Sequence, residues 1–358
     1  MRFVNIDDVK DGMINAKTLV GNNFEILLRN GITLRKPYIE KLKELGYQGI
    51  YIQDDISDGI TISDVIDPAL RLECVKMVKD IYFCTTKGKY LNNRMVKDLN
   101  KVLDKVVEDI LSNNELMINI IDLKNYDDYT YSHSVNVATL SLSVGNEMNL
   151  SKKMLFNLGM ASLLHDIGKM FIPQEILNKK GKLTDEEYEI VKTHSFKGYQ
   201  ILKENAEFSY YSSIGVLHHH EKYNGTGYPF ELKGNKISIL GRIIAIADVY
   251  DALISDRPYR KSLFPSEALE YIMGGGGTFF DTEIVRFFTK IVAPYPIGTG
   301  VLLSNNSTGI VIKNYRDCCM RPVVKIIKQG DELITPYFID LKNDSNARGI
   351  VITGIAKI

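Results

Sequence analysis

All six histidines, His133, His165, His194, His218, His219 and His220, fall within 88 of the chain's 358 residues. Two of the positions are doublets with immediate chemical use, His165-Asp166 and His219-His220, and Asp248 follows the apolar run Ile243 to Ala247. Imidazole is the commonest metal ligand, and a carboxylate can bridge two ions roughly 3.5–4 Å apart. A carboxylate set in an apolar run is costly to bury unless it is paired or bound to a cation. Lys169 follows His165 by one helical turn, where its ammonium can meet a substrate phosphate beside such ions. The pattern therefore points to metal-assisted phosphate chemistry. All-N,O ligation rich in imidazole favours Fe or Mn as a pair of divalent ions, with Zn or Mg as further options.

Taken singly, these residues have plainer readings. A lone helical histidine such as His133 packs as a core or surface residue, and Asp248 pairs with an arginine. Three consecutive helical residues fan over roughly 200°, so His218, His219 and His220 cannot all face one site. His218 is read as the structural one. Their joint occurrence is what argues for a site.

The elements that must carry these side chains read as helices over Asp127–Met148, Ser151–Ile167, Thr184–Glu204 and Ile239–Ile254, with Thr184 and Glu187 forming a capping box. Ahead of them lie two amphipathic stripes, Leu70, Val75, Val78, Ile81 and Leu99, Leu103, Val106, Val107, Ile110. Their period serves an intrachain core or a homodimer seam through 68–112 equally well. Residues 1–56 read as a small α+β domain. In it Phe24–Leu28 and Ile32–Leu34 form a hairpin about Asn30-Gly31, a helix runs from Pro37 to Leu45, and Gly49–Gln53 is a strand. Residues 57–124 read as linker and long helices, 125–293 as the catalytic domain, and 294–358 as a small β-rich unit. Gly274–Gly277 lacks the strand and Lys-Ser/Thr of a phosphate-binding loop.

Composition removes several function classes. Lys and Arg together number 44, as do Asp and Glu, so no global field draws nucleic acid or an acidic membrane. Cys74, Cys84, Cys318 and Cys319 form no CxxC and read as reduced thiols rather than a zinc site. No apolar leader or stretch of about 18 apolar residues is present, which suggests a cytoplasmic protein. No GxSxG supports a serine nucleophile.

His165-Asp166-Ile-Gly-Lys169 resembles the HDxGK signature of HD phosphohydrolases. His219-His220-Glu221 with Gly225, Gly227, Tyr228 and Pro229 resembles the HHExxxGxGYP signature of their HD-GYP subgroup. The likeness runs through Ile172-Pro173, Lys182-Leu-Thr184, His194, Asp248-Val-Tyr-Asp251 and Arg257-Pro-Tyr-Arg260, about residues 125–290. It implies a mainly α fold, an HD-type helical bundle core flanked by the small α+β and β-rich units. The activity implied is that of bacterial metal-dependent phosphodiesterases, which open cyclic di-GMP to the linear dinucleotide or carry it on to GMP. A hydroxide shared by two ions would attack phosphorus in line with the departing ribose oxygen.

Carried over by position, the resemblance makes His133, His165, Asp166, His194, His219, His220 and Asp248 metal ligands, Asp166 bridging and catalytic with Lys169. Lys169, Arg257 and Arg260 would hold phosphate. Gly225, Gly227, Tyr228 and Pro229 would wall the site and offer a surface to a diguanylate cyclase partner. Tyr129 stands where some members place a third-metal glutamate, so two ions are expected. Arg260 replaces a frequent lysine and keeps its charge. The alternatives are hydrolysis of another cyclic dinucleotide or nucleotide, or a sensor or scaffold without turnover. The seven retained ligands weigh against the last.

Overall fold

Short β-branched runs at both ends of the chain and a helical period between them sort the protein into two units. In this computed structural model, residues 1–21, 25–86, 92–119, 129–179, 181–255 and 262–358 are described. One unit comprises Met1–Asp64, Met117–Tyr129 and Val292–Ile358, the other Val65–Leu116 and Thr130–Ile291.

The first unit begins with β1 (Arg2–Asn5), β2 (Ile14–Asn15), β3 (Leu19–Val20), β4 (Ile26–Leu28), α1 (Lys36–Glu44) and β5 (Gly49–Gln53). Antiparallel pairing gives a sheet ordered β1-β5-β2, on which α1 packs Ile39 and Leu42 with Val4, Ile50 and Ile52. The hairpin expected across Asn30-Gly31 does not form. Instead β4 pairs back onto β3, and the Gly31 and Asn15 backbones exchange with Asn15 and Ile32. The Asn15 side chain explains the difference, because its amide donates to the Arg29 carbonyl and draws the turn across β2. Phe24 lies outside the described residues.

The C-terminal stretch adds β6 (Gly300–Leu303), β7 (Ser307–Lys313), β8 (Val323–Gln329), β9 (Glu332–Asp340) and β10 (Ile352–Ile355) as an antiparallel sheet ordered β10-β6-β7-β8-β9. Its core is Val301, Leu303, Val311, Val324, Ile326 and Ile339. The two ends of the chain, expected as separate units, close on each other. Ile60 packs with Ile310 and Ile327, and the Lys325 ammonium donates to the Ile56 and Asp58 carbonyls. Each sheet alone is too small to bury much apolar surface, so a shared core is the stable arrangement.

The helical unit contains α2 (Pro68–Thr86), α3 (Asn93–Ser112), α4 (Tyr129–Glu147), α5 (Lys152–Leu164), α6 (Gln174–Leu177), α7 (Asp185–Glu204), α8 (Tyr210–His218), α9 (Ile239–Ile254), α10 (Pro265–Gly274) and α11 (Thr282–Ile291). Ser151, Thr184, Ser209 and Ser238 cap α5, α7, α8 and α9 through their side-chain oxygens, and Thr184–Glu187 is a full capping box. The stripes of α2 and α3, including Val75, Val78, Ile81, Leu99, Leu103 and Val107, are buried within the single chain, so the apolar period there builds this unit's own core. Almost every side chain from Leu155 to Leu164 is buried, making α5 the central helix. It stops earlier than the expected Ile167. His165 caps it, and a 3₁₀ turn over Ile167–Phe171 follows.

Candidate metal centre

Two helix ends and two helix interiors aim the histidines inward. His165 sits at the C-cap of α5 and His219 at the C-cap of α8, while His194 lies inside α7 and His133 inside α4. In the first three, Nδ1–H donates to the carbonyl three residues earlier: His165 to Ser162 at 2.8 Å, His194 to Val191 at 2.7 Å and His219 to Val216 at 2.6 Å. A carbonyl can only accept, so each Nδ1 carries the proton and each Nε2 presents a bare lone pair, the form a metal requires.

The fourth imidazole is oriented by a carboxylate. His133 Nδ1 donates to Asp251 Oδ2 at 2.7 Å, and the other Asp251 oxygen accepts from Asn136 Nδ2 at 2.8 Å. Asn136 in turn accepts from the Arg71 guanidinium on α2. His133 Nε2 points at Asp248 Oδ1, 3.1 Å away.

Two ligand sets result, Asp166 with His194, His219 and His220, and His133 with His165 and Asp248. Asp166 stands between them. Its Oδ1 is 3.4 Å from His194 Nε2, and its Oδ2 is 3.4 Å from His165 Nε2 and 4.0 Å from His133 Nε2. Lys169 Nζ lies 2.5 Å from the same Oδ2. The early end of α5 puts Lys169 three residues after Asp166 in a 3₁₀ turn, where i and i+3 eclipse, so it pairs with that carboxylate.

The electrostatics suit cations. Burial would lower the His133 pKa, but hydrogen bonds to Asp248 and Asp251 raise it to about 10. Burial lowers His194 to about 4, and burial with the neighbouring His194 lowers His220 to about 3. Burial opposes ionisation of Asp166 and Asp248, yet Lys169 and the imidazoles around Asp166, and the His133 contacts at Asp248, hold both well below the usual carboxylate range. Neutral His194, His219 and His220 beside ionised carboxylates are a metal-ready donor set, and a cation held by His133 and Asp248 would take the place of the proton those carboxylates keep on His133. His165 Nε2 and Asp166 Oδ1 are buried without a hydrogen-bond partner, a costly state that a bound ion relieves. The residues present fit divalent metal.

One wall is the loop after α8. Glu221 is buried, and its carboxylate accepts from Phe230 N at 2.8 Å and Leu232 N at 2.9 Å, tying the loop back. Gly227 is required there, since a Cβ would fall 2.2 Å from Lys222 N, and Gly225 turns at φ +87°. The Tyr228-Pro229 bond is cis. The Tyr228 ring lies 4.7 Å from that of His220, tilted by 33°. His218 stands outside both ligand sets, its Nδ1 accepting from Ser238 N at 3.1 Å. Arg257, Arg260 and the side chain of Tyr129 lie outside the described residues.

Three members of the site's outer support had no assigned role in the sequence reading: Asp251, Asn136 and Arg71. Asp251 was legible in principle, one turn after Asp248 on the same helix. Asn136 and Arg71 carried no signal, being one polar residue among many in their helices.

Comparison with known proteins places this geometry. Residues 106–284 match the model of the HD domain. The chain is 38% identical over 239 residues to a cyclic di-GMP phosphodiesterase of Pseudomonas aeruginosa, covering 67% of this chain and 57% of that protein. It is 40% identical over 166 residues to the 3'3'-cGAMP-specific phosphodiesterase 1 of Vibrio cholerae, covering 46% of this chain and 37% of that protein. The chain thus spans little more than half the length of the first relative and less of the second. A solved HDG"Y"P protein of Bdellovibrio bacteriovorus shares the fold with TM-score 0.52 and 18% identity, over 80% of this chain and 97% of that one. Among the described residues no helix is long and apolar enough to cross a membrane.

Proposed function

Because the chain belongs to the HD domain family, and to its HD-GYP type, we propose that it is a metal-dependent phosphodiesterase that hydrolyses cyclic di-GMP to the linear dinucleotide. The observation that carries this reading is the pair of ligand sets facing each other across Asp166 with buried, unpartnered donor atoms between them. His133, His165 and Asp248 would hold one ion, His194, His219 and His220 the other, and Asp166 would serve both. Fe or Mn suits this imidazole-rich set better than Mg. When bound, such ions supply Lewis-acid polarisation of phosphoryl oxygen and a nucleophile at neutral pH.

The chain's own groups do the rest. Nδ1–H bonds to backbone carbonyls and to Asp251 fix the imidazoles, so no reorganisation is needed at the moment of reaction. Water attacks phosphorus as the bond to the ribose 3′ oxygen breaks, a proton lost by the water is balanced by one gained on that departing oxygen, and charge gathers meanwhile on the non-bridging oxygens. Lys169, partly exposed beside Asp166, is placed to meet that charge, and Arg257 and Arg260 are its partners in this reading. Gly225, Gly227, Tyr228 and Pro229 shield one side, with the Tyr228 ring covering His220. The exposed Phe230 beside this loop offers a contact for a diguanylate cyclase partner.

A second reading, hydrolysis of cyclic GMP-AMP, is favoured by the likeness to the Vibrio cholerae enzyme of that name. The test is anaerobic purification, loading with Fe²⁺, Mn²⁺ or Mg²⁺, metal analysis, and product separation after incubation with each cyclic dinucleotide. Turnover of cyclic di-GMP with Fe or Mn, lost in Asp166→Ala, is expected. A fully metallated protein that leaves every cyclic dinucleotide intact refutes the reading.

A further inference from the structure

Beyond the phosphate-handling centre, one helix face carries a group of side chains with no role yet. Tyr188, Glu189 and Lys192 lie on α7, in the two turns ahead of His194. Tyr188 is 46% exposed although its ring is engaged on one side. Its engaged side meets Tyr228 edge-on, with centroids 6.5 Å apart and planes at 84°. Lys192 Nζ lies 4.9 Å from the Tyr188 centroid and 5.9 Å from that of Tyr228, and it is paired with the Glu189 carboxylate. Tyr228 in turn contacts His220 and His194, at 4.7 and 6.3 Å. A continuous aromatic path therefore leads from the ligand histidines to an exposed ring flanked by one cation and one anion.

We propose that Tyr188, Lys192 and Glu189 form a base-binding subsite that selects guanine over adenine, an inference that rests on the cyclic-dinucleotide reading above. The positions suit a nucleotide whose phosphate is at the ligand cluster. Tyr188 is six residues from His194, about 9 Å along the helix axis at 1.5 Å per residue, a span the sugar bridges. The exposed Tyr188 face offers a stacking surface that accepts any base. Discrimination comes from the ion pair. Guanine presents O6 and N7 as acceptors, which a lysine ammonium satisfies, and its N1–H and N2–H₂ are donors that a carboxylate accepts. Adenine puts its N6 amino donor where guanine has O6, facing an ammonium that cannot accept. Opening the Lys192–Glu189 pair to admit the base costs little, because exposed i,i+3 ion pairs are weak.

The experiment measures kcat and KM of the metal-loaded full chain and of Tyr188→Ala, Lys192→Ala and Glu189→Gln. The substrates are cyclic di-GMP, cyclic di-AMP and a base-free diester, the abasic analogue of the cyclic dinucleotide, which keeps both phosphodiesters and carries no aromatic ring. Tyr188→Ala should raise KM for cyclic di-GMP about tenfold more than it affects the base-free diester. Lys192→Ala and Glu189→Gln should narrow the preference for cyclic di-GMP over cyclic di-AMP, with Lys192→Arg restoring it. Equal losses on the base-free diester and cyclic di-GMP, or unchanged base preference in the Lys192 and Glu189 variants, would overturn the subsite while leaving the phosphodiesterase reading intact. Wild-type protein that cleaves only the base-free diester would overturn both.

Discussion

The sharpest test of how the centre is built is Asp251→Asn, which changes one atom and no volume. Asp251 is 1% exposed, and its two oxygens accept from His133 Nδ1 at 2.7 Å and Asn136 Nδ2 at 2.8 Å. The introduced amide has one acceptor and one donor, so it can satisfy only one of these groups and must aim N–H₂ at the other. If its oxygen serves His133, its amino group confronts that of Asn136. Asn136 can escape by flipping, but then it withdraws its oxygen from Arg71. If the oxygen serves Asn136 instead, His133 loses its Nδ1 acceptor and the tautomer that leaves Nε2 bare. Outer-shell substitutions of this kind cost about 10–100-fold in metal affinity, roughly 1.4–2.8 kcal/mol. With two charge-assisted hydrogen bonds at stake we expect about 30-fold, or about 2 kcal/mol. Isothermal titration of metal-free protein with Mn²⁺ reads this directly. The step belonging to His133, His165 and Asp248 should weaken by that factor, while the step belonging to His194, His219 and His220 moves far less. Wild-type affinity in both steps, or equal weakening of both, refutes the division into two ligand sets with Asp251 behind one of them.

Four further outcomes follow from the same geometry. Asp166→Ala should abolish turnover and weaken both metal steps together, with the helical circular dichroism kept; loss of only one step would contradict a shared carboxylate. Gly168→Ala places a Cβ 1.9 Å from the His194 carbonyl oxygen, so α7 must shift. A loss of about 1–3 kcal/mol in urea unfolding is expected, and an unchanged midpoint would show that the contact is not fixed. Glu221→Gln keeps one acceptor for two backbone donors and should cost about 1–2 kcal/mol, read as faster limited proteolysis within 222–232. Chelation should lower Tm and re-addition of Mn²⁺ at a hundred times its Kd should return about 2.7 kcal/mol; a melt indifferent to metal would speak against the site.

The sequence made the helical architecture and the ligand candidates legible because both rest on local rules. A 3.6-residue apolar period, four serine or threonine caps and paired His-Asp and His-His doublets can all be read within a few residues. What stayed hidden depends on contacts distant in sequence. Asn15, through one amide, redirects the turn near Gly31 and undoes a hairpin that local turn chemistry favoured. Arg71 reaches Asn136, 65 residues away, and no property of α2 alone distinguishes that arginine from a surface one. The closure of the two chain ends around Ile60, Ile310 and Ile327 is likewise a pairing of ordinary apolar residues. The base-facing role proposed for Lys192 was equally unmarked, because an i,i+3 Glu-Lys pair normally reads as a solvated helix face.

The early end of α5 shows how the fold and the chemistry share one solution. A helix leaves its last carbonyls without intrahelical donors, and burying them is expensive. The same site needs imidazoles locked with Nδ1 protonated and Nε2 free. Placing His165 and His219 at C-caps meets both demands with one hydrogen bond each, to Ser162 and Val216. It also frees the next residue from helical geometry, so Asp166 and His220 can turn toward the same cavity instead of fanning 100° away. His194 lies mid-helix and uses the same i−3 bond to Val191, but there the carbonyl is shared with the helix ladder. Replacing each of the three by glutamine therefore separates the roles. His165→Gln and His219→Gln should lose stability in the metal-free protein as well as metal affinity, whereas His194→Gln should lose chiefly the latter. Equal metal-free melting temperatures for all three would mean that the cap hydrogen bonds stabilise nothing, and that the histidines sit at the helix ends for coordination alone.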